Sequence, residues 1–398
     1  MIEVREAIER LLAAVAPLPP ELVPLEDALG RTLAEDVRAD RDAPASDRSA
    51  MDGFAVRAHD LARPGATLPI AGEIRAGGDG TAMRVEPGTC VRITTGAVVP
   101  EGADAVVMLE HAVEADGAAR FEGAAEAGQH IRRRGEDCRA GDVVAERGST
   151  VRSAEVAALA AVGRVSVPVV RTPRVAVLST GDEVVEIDRT PQPHQVRNSN
   201  AAMLVALLRE EGIPAAYLGI AGDDLAGLEA RLERGLSHDV LVVTGGVSVG
   251  AYDLVGTALT RRGATVLFHK VAMRPGKPIL AARCGGALVL GLPGNPVSAF
   301  TAFHVFAAPA LGKLAGRPDP VRPLLRVKLA RPLARRPGRL SYALATLDAD
   351  LSCVAPVASA SSGDLFALAR ANAFVVVEAG VERLEAGEMV DVLAWRRT

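Results

Sequence analysis

Apolar and polar positions follow several distinct patterns along the chain. The first twenty residues, MIEVREAIERLLAAVAPLPP, read as an amphipathic helix ended by prolines. PLEDALGRTLAEDVRAD follows as a helical turn and a short strand. From Ser46 to about Asp137 short apolar runs, CVRITTGAVV and ADAVVMLEHA, alternate with glycine-rich turns such as AGEIRAGGDG, the pattern of a small β-rich domain. RAGDVVAERGSTVRSAEVAALAAVGRVSVPVV then predicts a strand, a turn and an alanine-rich helix. Its composition matches the N-terminal segment. Residues 1–45 and 138–170 are therefore expected to form one linker domain of helix and strand, with residues 46–137 inserted between them.

From Pro173 the pattern changes. RVAVLSTGDEV is an apolar strand running into a glycine turn, and NSNAAMLVALLREEGI is a helix with a polar start suited to capping. AAYLGIAGDD, LAGLEARLERGL, DVLVVTGG, ALVLGLPGNP and VSAFTAFHVFAAPAL continue the alternation of strand and helix. The expected fold is thus multidomain α/β plus β. A central three-layer α/β domain with a mostly parallel sheet (171–317) is joined to the linker domain and the inserted β-rich domain. Short strands from 318 to 398 predict a C-terminal small β-barrel.

Composition narrows the classes. A chain of 398 residues, 49% hydrophobic, has enough apolar material for several cores. The net charge of −4 and an aromatic content of 3% do not favour nucleic acid. The four cysteines lie far apart with no C-x-x-C pair, which argues against a structural zinc site or disulfide framework and for a reducing, cytoplasmic compartment. Acids and arginines occupy the N-terminus where a signal peptide would be apolar, and no membrane span is predicted.

Candidate chemistry sits in the loops that follow strands, where ligands of open parallel sheets bind. These are STGDE (Ser179 to Glu183), AGDD (Ala221 to Asp224), TGGVSVGAYD (Thr244 to Asp253) and GLPGNPVS (Gly291 to Ser298). Glycines let backbone N–H groups approach a phosphate, but neither glycine loop fits G-x-G-x-x-G or Walker A, and each alone is equally an ordinary βα turn. Asp182, Glu183, Asp223, Asp224 and Asp253 crowd these loops. Each alone reads as a cap or a solvated turn residue. A carboxylate about 4 Å from a phosphate oxygen repels it by roughly 4 kcal/mol at an effective dielectric of 20, so acids beside a phosphate make sense with a bridging Mg²⁺. HKVAMRPGKP adds His269, Lys270, Arg274 and Lys277, either a solvated hairpin or a second anion site beside the first.

SAMDGFAV, ITTGAVVPEGADAVVMLE, IRRRGED, STGDEV, RNSN, TGGVSVGAYD, KVAMRPGKP and GLPGNPVSAF, in this order, resemble the molybdopterin molybdenumtransferase family, the bacterial MoeA type, similar to the E domain of gephyrin. The resemblance covers essentially the whole chain. It implies an α/β domain of molybdopterin-binding type and a homodimer whose active sites are shared between subunits. The implied reaction inserts molybdate into adenylylated molybdopterin, with Mg²⁺-assisted release of AMP. Thr244, Gly245, Gly246, Ser248, Gly250 and Asn295 would hold the nucleotide phosphates, and Glu183, Asp223 and Asp253 the Mg²⁺ and catalysis. Lys270, Arg274, Lys277, Pro293, Pro296 and Ser298 would form the molybdate site. Asp52, Thr95 and Asp137 match further positions linked to activity. The implied partners are the molybdopterin adenylyltransferase and downstream molybdoenzymes.

Two departures stand out. Arg274 replaces a lysine common in the family, which keeps the charge and changes its shape. In PGRLSYALATL, Leu344 occupies a place that is often basic, which weakens the case for an anion contact from that arm. The rival readings are the adenylyltransferase step, a non-catalytic scaffold and a tungsten-inserting variant.

Overall fold

The computed structural model describes residues 1–222, 224–246 and 254–395. Near the N-terminus, strand Pro20–Pro24 pairs antiparallel with Ser166–Val170, and Val37–Arg38 with Val143–Ala145. Leu33, Leu159, Val167 and Val169 form their core. Residues 46–137 between these pairs hold a six-stranded sheet in which one pairing, Thr67–Ile74 with Cys90–Ile93, is parallel. Phe54 and Phe121 meet edge to face at 5.7 Å in its core. The first helix, Val4–Ala13, lays Val4, Ala7 and Leu11 into the core of the α/β domain, away from the strands it was grouped with by composition.

The α/β domain is built on β1 (Val175–Thr180), β2 (Ala215–Ala221), β3 (Val240–Thr244), β4 (Thr265–His269), β5 (Leu280–Cys284) and β6 (Ala287–Leu292). Their spatial order is β2-β1-β3-β6-β5-β4. The first three pairings are parallel, and β5 and β4 close the far edge antiparallel. Every residue of β1, β3 and β6 is buried, because helices cover both faces. Val175, Val177, Val240 and Val242 point into one layer with the helices Ser199–Glu210 and Pro296–Ala302; Ala176, Leu178, Leu241 and Val243 point into the other. The helical run Pro296–Leu314 is the one described stretch long and apolar enough to cross a membrane. It is 94% buried, as a helix apolar on all sides is inside a large core.

The C-terminal strands Leu325–Leu329, Leu340–Leu347, Cys353–Pro356, Ala373–Val377 and Met389–Ala394 close on themselves, since Leu340–Leu347 pairs with both Cys353–Pro356 and Ala373–Val377. One element is absent from the strand-only reading of this region: a helix, Leu365–Arg370, capped by Asp364 Oδ1 accepting from the Ala367 amide at 2.9 Å. Six residues are too few to reveal a helical period. The barrel docks on the α/β domain through Met273–Arg274, which pairs with Leu340–Ser341, and through Trp395, 5.0 Å from Phe300.

Candidate functional site

Two adjoining cavities open at the carboxyl ends of β1, β3 and β6, and Pro278 and Asn295 line both. The larger, about 1020 Å³, is walled by the loops after these strands and by the segment 181–198. Gly245 and Gly246 have φ of +86° and +63°. A Cβ on Gly245 would lie 2.5 Å from the Thr180 carbonyl oxygen, and one on Gly246 would lie 2.7 Å from Thr180 Oγ1. Both glycines after β3 are thus required by the turn, Gly245 also by the Thr180 backbone and Gly246 by the Thr180 and Val255 side chains. The fold here is locked by Asn200. Its Nδ2 donates to Thr244 Oγ1 at 2.9 Å and to the Gly294 carbonyl at 2.7 Å, tying the loops after β3 and β6. That carbonyl can only accept, which fixes the amide orientation. Among the described residues the only charged side chains on this cavity are Glu183 and Arg197.

The smaller cavity, about 640 Å³, has the opposite character. Arg274, Lys277, Arg335, Arg336 and Arg339 line it, and no carboxylate does. None of the five cations has an ion-pair partner among the described residues. Burial, followed by the Arg339 and Arg336 charges, pulls the Arg274 guanidinium below its ordinary value, and burial with Arg274 does the same to Arg335. Ser298, 4% exposed, joins them from the first turn of the helix that follows β6. Asn295 donates to Ser362 Oγ at 2.9 Å, and the Val297 amide donates to the Ser362 carbonyl at 3.0 Å, so the barrel fixes the loop between the cavities. Unpaired cations around a concave space suit a multiply charged oxyanion.

Residues 2–163 match the MoeA N-terminal region (domain I and II), residues 176–313 a probable molybdopterin binding domain, and residues 326–395 the MoeA C-terminal region (domain IV). The chain is 37% identical over 409 residues to the molybdopterin molybdenumtransferase of Bacillus subtilis, covering 99% of this chain and 94% of that one. It is 34% identical over 398 residues to the Staphylococcus epidermidis protein of the same name, covering 98% and 95%. This chain belongs to the molybdopterin molybdenumtransferase family. A molybdopterin biosynthesis MoeA protein from Pyrococcus horikosii superposes with a TM-score of 0.86 at 30% identity, covering 99% of both chains.

Within this family member, the crevice gathers Glu183, Thr244, Gly245, Gly246, Pro293, Asn295 and Pro296 on the larger cavity, and Arg274, Lys277 and Ser298 on the smaller. The expected molybdate set is therefore divided, with both prolines on the larger side. Lys270 lines neither cavity; its backbone has φ +70° and its amide donates to the Ile279 carbonyl. Asp52, Thr95 and Asp137 also line neither. The Thr95 amide donates to Asp52 Oδ1 at 2.7 Å, and Asp137 pairs with Arg132. Asp223, Asp253, Ser248 and Gly250 lie outside the described residues. Asp224 caps its helix, accepting from the Gly227 amide at 2.6 Å. No group of three His, Cys, Asp or Glu among the described residues is placed to hold a metal. Of the expected Mg²⁺ ligands, Glu183 brings a hard oxygen donor to the cavity wall, its carboxylate turned back to within 2.6 Å of where a Gly181 Cβ would sit. Sequence reading missed Arg335, Arg336 and Arg339. Their signal was LARRPGRL, three cations in the barrel arm just ahead of the position where Leu344 suggested that a basic contact was lacking.

Proposed function

We propose that this chain acts in molybdenum cofactor biosynthesis by inserting molybdate into adenylylated molybdopterin with release of AMP. The observation that carries the reading is the pair of adjoining cavities, one charged only by Glu183 and Arg197 among the described residues and one lined by five cations. Adenylylated molybdopterin occupies the larger, its phosphates against the loop that starts at Thr244 and Gly245. Molybdate, a dianion, takes the smaller, held by Arg274, Lys277 and Ser298 with Arg335, Arg336 and Arg339. Arg is suited to this task because its planar fork binds oxyanions in bidentate fashion. Catalysis is then positioning and charge neutralisation. One water oxygen ends on phosphorus as the phosphoanhydride breaks and AMP leaves, and molybdate loses oxo oxygen as water, with protons from the dithiol, as the sulfurs take the metal. Bound Mg²⁺, with Glu183, Asp223 and Asp253 as the residues that would hold it, supplies neutralising charge for the phosphates.

Asp52, Thr95 and Asp137 enter this reading through a homodimer in which the inserted domain of one subunit completes the crevice of its partner. The exposed apolar side chains Leu22, Leu29 and Val165, 70%, 66% and 84% accessible, support a protein-covered face on the linker strands. The molybdopterin adenylyltransferase would supply the substrate, and molybdoenzymes would receive the product.

The test is AMP release from adenylylated molybdopterin with Mg²⁺, with and without molybdate. Release that depends on molybdate, with molybdenum in the pterin product, is the expected result; release driven only by tungstate would reassign the oxyanion. Asp253→Asn and Asp223→Asn should each cripple turnover in a folded chain. Near-normal rates for both would remove the metal assignment, and a monomer in solution would remove the shared site.

A further inference from the structure

Both described charged groups of the larger cavity, Glu183 and Arg197, ride on one segment. This is a small parallel ribbon, Val184–Val185 beside Val196–Arg197, with residues 186–195 looping between its strands. Its own ladder is short: the Val196 amide donates to the Glu183 carbonyl and the Asn198 amide to Val185, each at 2.8 Å. Two such strands do not hold a position alone. A chain of side chains ties the ribbon to the sheet. Ser179 Oγ at the end of β1 donates to Asn198 Oδ1 at 3.0 Å, and the same oxygen caps the next helix by accepting from the Ala201 amide at 3.2 Å. Asn198 Nδ2 donates to the Tyr217 hydroxyl on edge strand β2 at 2.7 Å, and that hydroxyl donates to Glu186 Oε1 at 2.9 Å. Asn198 is 4% exposed, so its amide has little water to fall back on. Burial, and then the Glu186 acceptor, raises the Tyr217 phenol above its ordinary value, so the proton stays on the tyrosine and the direction of the chain is fixed.

We infer that Tyr217 and Glu186, which do not line the cavity, are positioning residues: through Asn198 they pin the 181–198 ribbon and thereby set Glu183 and Arg197 against the substrate. The inference rests on the substrate reading above for its kinetic consequence and on geometry alone for the pinning.

Two readouts on the full chain separate the two. Tyr217→Phe removes the acceptor of Asn198 and the donor to Glu186 while keeping the ring. It should raise KM for adenylylated molybdopterin on the order of tenfold, the effect of one unpaired buried donor, with kcat changed far less. Glu186→Ala should match it, Glu186→Gln should stay near wild type because its amide oxygen still accepts, and the double variant Tyr217→Phe with Glu186→Ala should be no worse than either alone. Trypsin should cut faster after the exposed Arg189 and Arg197 in Tyr217→Phe and Glu186→Ala, and at the wild-type rate in Glu186→Gln. Unchanged cleavage with unchanged KM overturns the pinning, as does cleavage spread along the whole chain, which would mark general unfolding. Faster cleavage confined to these two sites, in a protein whose wild-type form releases no AMP, supports the pinning and overturns the substrate reading instead.

Discussion

Gly245→Ala tests why the chain runs bare backbone after β3. The native φ is +86°, and holding an alanine there costs about 1–2 kcal/mol. The new Cβ would also lie 2.5 Å from the Thr180 carbonyl oxygen and 2.9 Å from Thr180 Oγ1. Backbone on both sides must move, and relieving such an overlap adds roughly 1–3 kcal/mol. The total is about 2–5 kcal/mol. Gly263→Ala is the control. Its φ is +72° and nothing lies within 4 Å of the new Cβ, so only the backbone cost of about 1–2 kcal/mol applies. A chain of several domains does not unfold in one step, so hydrogen exchange at β1 and β3 amides is the proper measure. Gly245→Ala should lose clearly more protection there than Gly263→Ala loses at its own helix end. AMP release should fall too, because moving the loop draws Thr244 away from Asn200. Equal losses in the two variants would refute the close-approach argument.

Arg335→Met should raise the KM for molybdate at least about tenfold, the scale of one charge-assisted contact. It should leave the melting temperature of the ligand-free chain unchanged or higher, because it removes a cation that repels Arg274; a lower KM in steady-state assays would count against the oxyanion site. Cys90 is buried and its thiol is pushed up to about 12, so it should resist iodoacetamide at pH 8, where Cys138 and Cys353 react. The raised value also means that stability tied to this thiol is complete below about pH 9 and is lost as pH rises towards 12, which a Cys90→Ala variant should flatten in an alkaline unfolding series. His304 is 3% exposed, neither ring nitrogen has a hydrogen-bond partner among the described residues, and burial brings its value down to about 3. The unfolded chain then binds the proton first, so stability falls as pH drops from about 6.5 towards 3, and His304→Leu should move the acid-unfolding midpoint to lower pH.

Much of the fold was legible because its periodicities are clean. β6 is wholly apolar, and β1 and β3 are apolar up to the hydroxyl residues at their carboxyl ends, as buried parallel strands are. Asn198 and Asp224 announced the helices they cap. The described parts of the loops after β1, β3 and β6 did converge on one cavity, since strand polarity brings them to one edge of the sheet, whereas the described residues of AGDD after the edge strand line neither cavity. What the sequence could not supply was long-range placement. Arg335, Arg336 and Arg339 lie far along the chain from Arg274, in another domain, and the docking of the barrel, through the pairing of Met273–Arg274 with Leu340–Ser341 among other contacts, brings them together. Lys270 looked equivalent to Arg274 and Lys277 in HKVAMRPGKP, yet it lines neither cavity. The glycines of TGG were read as room for a ligand. Their first partner is Thr180, a contact between loops about sixty residues apart that no local pattern announces.

The division of charge between the cavities explains why the barrel belongs to the site. Five cations with no ion-pair partner among the described residues repel one another, a cost that a bound oxyanion would offset. Three of those cations come from the barrel, and the wall between the cavities is fixed by Asn295 and Val297 bonding to Ser362 of the same barrel. The α/β domain supplies most of the larger cavity's lining, whereas more than half of the smaller cavity's lining comes from the barrel. A binding step for a neutral-edged heterocycle and its phosphates needs only the first. Delivery of a second, small oxyanion beside it needs both, held at a set separation. On the proposed reading the added domain therefore works by position: it sets a cationic cavity beside the crevice.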